Sequence, residues 1–189
     1  MKTLRPLIAS FVLLTIITGV LYPLSVSGIG KLLFVDKVKG SLIIKDNKIL
    51  GSRLIGQNFT DPKYFWGRPS ATSTYAYNGT SSGGSNLGPT NPALKVAVGE
   101  RIKALRDADP GNSAPVPVEL VTASASGLDP HISPAAANFQ LQRVARLRGL
   151  SVKQLRALLA QYTEAPQFGI LGEARINVLE LNLALDQLK

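Results

Sequence analysis

Cysteine is absent from the 189 residues, and histidine, tryptophan and methionine occur once each. The first absence removes any disulfide framework, thiolate metal site or cysteine nucleophile. It suits either side of a bacterial membrane and identifies neither. A single histidine, His131, supplies too few nitrogen ligands for a transition-metal site. No Walker-type glycine loop with its lysine and hydroxyl is present, and no G-x-G-x-x-G follows a strand. Acidic residues are also scarce, 12 Asp and Glu against 21 Lys and Arg, for a net charge of +9. That excess is uneven. Residues 1–53 carry eight basic against two acidic side chains (+6), residues 54–110 six against four (+2), and residues 111–189 seven against six (+1). A basic excess so placed suits anionic lipid head groups or an acidic partner. Nucleic acid is not expected, because the distal part is nearly balanced and has no stacking-aromatic motif.

What is present begins with an uncharged stretch, Pro6 to Gly30, 25 residues long. Leu7 to Leu24 is almost wholly apolar, with Ser10, Thr15 and Thr18 as mild breaks. At about 1.5 Å per residue it reaches roughly 27 Å, close to the thickness of a bilayer's hydrocarbon. A lone segment there must satisfy its own amides, so a helix is expected, with a tolerable kink at Pro23. The alternative is a cleaved secretory signal, with Lys2 and Arg5 as its basic leader and Ser25-Val26-Ser27 as its cleavage site. The apolar run is longer than the usual signal core of about 7–15 residues. Ile29, Leu32, Leu33 and Phe34 also continue it. The reading is therefore a retained anchor over residues 1–34 and one folded domain over 35–189. Lys2 and Arg5 argue for a cytoplasmic N-terminus. Lys31, Lys37 and Lys39 argue the reverse. The short leader favours export of the domain, giving a single-pass plasma-membrane protein that is largely extracytoplasmic.

Beyond the anchor, Ser41–Ile44 and Ile49–Leu50 flank a turn at Asp46-Asn47 and predict a hairpin, with a further strand at Leu54-Ile55. Tyr64, Phe65 and Trp66 form an aromatic cluster. Residues 67–91 are almost free of aliphatic side chains, so they read as a disordered linker or, because they carry tyrosines next to Trp66, as a loop packed on something. Asn91-Pro92 starts a helix with a buried stripe of Leu94, Val98, Ile102 and Leu105 and a wet face of Arg101, Lys103 and Arg106. Val116–Val121 reads as a strand, with Pro117 suggesting an edge or a strand start. Ser133-Pro134 starts a helix that stops at Gly149, and Ser151–Gln154 is a capping box. The last helix begins near Asn177, with Val178, Leu181, Leu185 and Leu188 as its stripe. The class is α/β or α+β.

Ser124, Ser126, Asp129 and His131 contain the residue types of a nucleophilic triad. A triad needs groups converging from separate elements, so this contiguous run reads as a strand end, a glycine turn and a helix lead-in. An exported hydrolase or ligand-binding protein using Ser124 or Ser126 is the alternative function. The glycines at 82–85 can form an anion nest, although loop geometry is their commoner use. Arg143, Arg146, Arg148, Lys153 and Arg156 read as a solvated basic face.

Several runs together carry a family likeness. They are Leu4-Arg5-Pro6, Gly51-Ser52, Gly56–Phe59, Phe65–Ala71 with Gly67-Arg68-Pro69-Ser70, Ser82–Leu87, Val116–Leu128, Gln140 with Arg143-Val144-Ala145, and Val178–Leu185. In order and spacing, over essentially the whole length, they resemble the C-chain family of the bacterial Kdp potassium-transporting ATPase. The resemblance implies a small single-pass subunit beside a potassium-translocating A chain, an ATP-hydrolysing P-type B chain and a small F chain. The sequence has no Asp-Lys-Thr-Gly run, so hydrolysis falls to the partner and no enzyme activity is expected of this chain. The family description makes the C chain a catalytic chaperone that raises the ATP affinity of the B chain. By that likeness Gln140, with Ser124, Ser126 and Gly127, is the nucleotide contact. No firmly bound cofactor is expected, ATP being met through the B chain. An exported domain cannot meet cytoplasmic ATP, so the residues favour contact with the other subunits beside the ion entrance instead. Trp66, Arg68, Tyr77, Gly83, Gly84 and Asn86 are the candidate docking residues, in a subunit needed for assembly and stability.

Overall fold

A computed structural model describes residues 3–188, which excludes Lys2 of the basic leader and Lys189. Two compact units result, Met1–Leu42 and Ile43–Lys189. The first is dominated by an unbroken helical run, Leu4–Leu33, long and apolar enough to cross a membrane. It comprises α1 (Leu4–Ile16), a π-helical turn (Ile17–Leu21) and α2 (Tyr22–Leu33), followed by the one-turn α3 (Val35–Val38). The wide turn sits just before Pro23. Tyr22 N–H reaches back five residues to the Ile17 carbonyl, a local adjustment of the kind that accommodates a proline lacking its donor. The mild polar breaks are absorbed locally. Thr15, Thr18 and Ser25 donate to carbonyls one turn back, at 2.7–2.8 Å, and Ser10 donates to Leu7 at 3.0 Å. These four hydroxyls are thus satisfied within the helix rather than presented to an apolar solvent.

The second unit opens on a two-stranded hairpin, β1 (Leu42–Lys45, beginning at the boundary) and β2 (Lys48–Ser52). Asp46 and Asn47 both take positive φ, 50° and 59°, the twist that a two-residue hairpin turn requires. Leu54-Ile55, expected to start another strand, lies in a turn. An irregular path then leads to α4 (Pro92–Ala108), whose N-cap Asn91 accepts from Ala93 N–H at 2.9 Å. Its buried stripe differs from the expected one. Ile102 is exposed, while Arg101 lies half-buried and donates to the Val121 carbonyl at 2.9 Å. Leu94, Val98 and Leu105 keep to the inner face, and the long Arg101 stem takes the place beside it that Ile102 was expected to fill.

Val116–Val121 is not a strand. Pro117 removes a ladder donor inside the segment, Pro115 stands just before it, and Val118–Leu120 closes as a 3₁₀ turn that buries Leu120. Three helices follow, α5 (Pro134–Arg148), α6 (Val152–Tyr162) and α7 (Val178–Leu185). Each N-cap is the residue expected. Ser133 accepts from Ala136 N–H, Ser151 and Gln154 form the reciprocal capping box, and Asn177 accepts from Glu180 N–H. Gly149 ends α5 at φ 65°. The last helix stops at Leu185, leaving Leu188 outside it. β3 (His131–Ile132), β4 (Thr163–Glu164) and β5 (Arg175–Asn177) make a three-stranded antiparallel sheet in the order β3-β5-β4. Ile176 faces both Ile132 and Thr163. All pairing is antiparallel and the helices are segregated from it, so the mixed fold is α+β.

The core lies among the last three helices and this sheet. Leu141 and Val144 of α5, Leu155, Leu158 and Leu159 of α6, and Leu181 and Leu185 of α7 close over Ile132 and Ile176. Phe65, fully buried, enters from the irregular segment. The expected solvated basic face is not one surface. Arg143 is 2% exposed, Arg146 pairs with Asp109 at 2.9 Å and Arg148 with Asp186 at 2.6 Å, leaving Lys153 and Arg156 as its exposed members without an ion pair among the described residues.

Candidate functional site

The irregular segment is held by two buried carboxamides. Asn182, on α7, accepts from Phe65 N–H and donates to the Phe65 carbonyl, both at 2.9 Å. Gln140, on α5, does the same for Trp66, accepting at 2.8 Å and donating at 3.0 Å. Two side chains thus supply consecutive residues with the pairing a neighbouring strand would give, so the backbone can cross the helices without an unsatisfied group. Gln140 has no capacity left. Its amide also donates to the Ala136 carbonyl at 3.3 Å, and its oxygen accepts from Arg143. The Arg143 guanidinium lies 4.6 Å from the Trp66 ring centre and donates to the Pro62 carbonyl. Burial pushes its pKa down to about 10, which leaves it charged at neutral pH. Outside this clamp Arg148 stacks on Tyr64 at 4.5 Å, and Tyr64 donates to Asp186 at 3.0 Å.

Further along, the 67–91 loop is fastened to residues 123–129. Arg68 Nη1 meets Asp129 Oδ2 at 3.1 Å, and Ser70 donates to the Gly127 carbonyl at 2.7 Å. Gly83 N–H and the Ser82 hydroxyl both donate to the Ser126 carbonyl, at 2.9 and 3.0 Å. Tyr77 donates to the Arg68 carbonyl at 2.5 Å, and burial pushes its phenol up to about 12, so it stays a donor. Asn78 is buried, with its oxygen accepting from Thr80 and its amide donating to Ser73. The loop is therefore packed on its own domain through polar side chains rather than aliphatic ones. Between it and α4 lies a cleft of about 360 Å³, lined by Phe59, Trp66, Arg68, Tyr77, Arg101 and Leu105 among others.

The triad-like run behaves as turn structure. Asp129 Oδ1 accepts from His131 N–H at 3.0 Å and faces His131 Nδ1 at 3.4 Å. Burial acts to raise the Asp129 pKa, but the hydrogen bonds from His131 and Arg68 outweigh it and hold the carboxyl below its ordinary value. Ser126 Oγ accepts from Leu128 N–H at 3.1 Å, and the two serine hydroxyls lie 3.5 Å apart. Among the described residues neither serine is hydrogen-bonded to the imidazole, so no nucleophile–base pair is assembled. No three His, Asp or Glu side chains among them converge as a metal-ligand set. Replacing His131 with Asn, which keeps a side chain able to meet Asp129, is expected to leave ATPase turnover of the assembled complex within a few-fold of the parent. A fall of several orders of magnitude with the complex intact would mean that the histidine does chemistry.

The sequence-predicted residues do not form one site. Gln140 grips Trp66, whereas Gly127 receives Ser70 four residues further along the segment. Trp66, Arg68 and Tyr77, expected on a docking surface, are turned onto their own chain, and Gly83 and Gly84 lie against Ser126 and Ala125. Asn86 is exposed. The residue that sequence reasoning missed is Asn182. Its signal was a lone amide amid Leu181, Leu183 and Leu185, a polar group that a core helix keeps only when it is paired.

One membrane-length helix, followed by a small α+β unit whose polar groups are committed to holding its own loops, fits an accessory chain of a membrane complex. Comparison with known proteins gives the family. The family model described as K+-transporting ATPase, c chain, matches residues 4–187. The potassium-transporting ATPase KdpC subunit of Polaromonas naphthalenivorans (strain CJ2) is 65% identical over 186 residues, spanning 98% of this chain and 95% of that protein. The subunit of the same name from Methylococcus capsulatus is 62% identical over 185 residues, spanning 98% and 97%. The chain belongs to this KdpC family and is an accessory subunit of the Kdp complex.

Proposed function

We propose that this subunit acts by contact, from an exported domain anchored by the Leu4–Leu33 helix with its N-terminus in the cytoplasm, and holds no nucleotide itself. Its partners in this reading are the potassium-translocating A chain, the ATP-hydrolysing B chain and the small F chain, which it locks together beside the ion's entrance. The observation carrying the proposal is the saturation of Gln140. Every hydrogen-bonding position of that carboxamide is taken by Trp66, Ala136 or Arg143. In the 124–127 turn the Gly127 amide is likewise taken, donating to the Ser124 carbonyl at 3.3 Å, and the Ser126 hydroxyl accepts from Leu128 N–H at 3.1 Å. A phosphate site needs free, convergent amides with Lys or Arg facing several negative charges. Any effect on ATP affinity then reaches the hydrolysing chain indirectly, as a coupling between subunits.

Two measurements test this together. A cysteine at exposed Ser85, unique in a chain with no other, is expected to react with an impermeant thiol reagent in intact spheroplasts. The purified full chain is expected to bind ATP no better than millimolar. Protection of that cysteine until lysis, joined to micromolar ATP binding, would restore the catalytic-chaperone role on the cytoplasmic side.

A further inference from the structure

Between β4 and β5 the chain makes a short projecting hairpin that serves neither the core nor the loops already described. Gln167 N–H donates to the Leu171 carbonyl at 2.8 Å and Leu171 N–H donates back at 2.9 Å. Gly169 N–H donates to Pro166 at 2.9 Å and Ile170 N–H to Gln167 at 3.2 Å, so the tip is internally ordered. Two of its side chains are nevertheless the most exposed large apolar groups among the described residues of the second unit, and a third stands beside them. Phe168 is 88% exposed, Ile170 82% and Leu171 56%. Phe168 also holds φ 55°, followed by Gly169 at 78°. Asn or Asp is preferred where a hairpin needs a left-handed residue before glycine, and a bulky aromatic there is unusual. Neither turn chemistry nor solubility favours phenylalanine at this apex. Contact with something outside the chain does.

We propose that the 167–172 tip is a plug, with Phe168, Ile170 and Leu171 seated in an apolar socket on another protein chain of the same ATPase. Charge chooses a protein over a lipid surface. Residues 163–174 contain Glu164 and Glu173 and no Lys or Arg, in a protein of net charge +9. Glu164 pairs with Arg175 at 2.9 Å, whereas Glu173 is exposed with no ion pair among the described residues. Anionic head groups would repel such a tip, and membrane-surface segments carry basic residues instead. A socket rimmed by Lys or Arg complements it. Three side chains are far fewer than the roughly 20–30 residues a stable interface uses on each side. The plug is therefore an anchor within a wider contact, the role that buried aromatics usually take.

This deepens the reading of the domain as a contact subunit and rests on it. In the assembled complex, a photo-reactive benzoylphenylalanine in place of Phe168 is expected to cross-link to a sibling subunit. Adducts with lipid alone, adducts with a second copy of this chain, or no adduct from an intact complex would each overturn the plug. The variant Phe168→Asn places a turn-preferred residue at the apex, so the full chain's melting temperature should hold. Its affinity for the remaining subunits should fall roughly 30-fold, as for loss of one interface anchor. Unchanged affinity with an unchanged melting temperature also overturns the proposal. The two readings fail separately. A cross-link to a sibling from a domain whose Ser85 cysteine is shielded upholds the plug and sinks the export reading, whereas a reactive Ser85 cysteine with no cross-link sinks the plug alone.

Discussion

Replacing Gln140 with leucine is expected to lower the unfolding free energy of the chain by about 3–9 kcal/mol. Three groups lose their partner at once. Trp66 N–H, the Trp66 carbonyl and one Arg143 N–H all point at the carboxamide, and each stranded buried group costs about 1–3 kcal/mol. The Ala136 carbonyl is spared, because the helix ladder still satisfies it. A loss of that size is a large part of the roughly 5–15 kcal/mol that holds a domain folded. Trp66 is the single tryptophan, so its fluorescence during urea unfolding of the detergent-solubilised chain reads the clamp itself. Gln140→Glu separates geometry from charge. It keeps acceptors for Trp66 N–H and Arg143 and loses the donor to the Trp66 carbonyl, so its cost should be smaller. If Gln140→Leu instead left stability unchanged and altered only the ATP dependence of the complex, the residue would be a nucleotide contact rather than a strut.

What could be read from the sequence follows the range of the interactions. The caps at Asn91, Ser133, Ser151 and Asn177 satisfy backbone donors two or three residues away, and all four stand where the sequence puts them. The Asp46-Asn47 turn is equally local. Gln140 and Asn182 bind partners 74 and 117 residues distant, and no local pattern encodes such a pairing. The same cause misdirected the basic cluster. Spacing along α5 cannot reveal that Arg143 faces Trp66 and the Pro62 carbonyl, nor that Arg146, three residues on, meets Asp109 at the end of α4. Val116–Val121 has strand-like composition, yet Pro117 takes a donor from the ladder and Val118–Leu120 closes as a 3₁₀ turn instead. The loop over 67–91 offered two readings from composition. Its order comes from Ser70, Thr72, Tyr77 and Asn78 bonding within the loop and to Gly127, through residue types that composition alone assigns to linkers.

Gly127→Ala is expected to destabilise the chain by about 2–4 kcal/mol, and the neighbouring glycines supply the control. Gly127 holds φ 67°, where a β-carbon costs about 1 kcal/mol. That carbon would also lie 2.6 Å from Thr72 Cγ2 and 2.7 Å from the Gly83 carbonyl oxygen. The threonine methyl can turn aside, but the carbonyl belongs to the strand of loop that donates to Ser126, so the two loops must part. Overpacking of this kind costs about 1–3 kcal/mol. Gly83 and Gly84 are adjacent in sequence and alike in composition, yet a β-carbon on Gly84 would sit 2.9 Å from the Ala125 carbonyl oxygen, whereas one on Gly83 meets nothing within 4 Å. Gly84→Ala should therefore cost about 1–3 kcal/mol and Gly83→Ala less than about 0.5 kcal/mol. Urea midpoints of the three variants, read by Trp66 fluorescence, check the ordering. Equal midpoints for the Gly83 and Gly84 variants would mean that the two loops do not meet in this register. An ATP-dependence defect in Gly127→Ala without loss of stability would return the 124–127 turn to the role of a ligand loop.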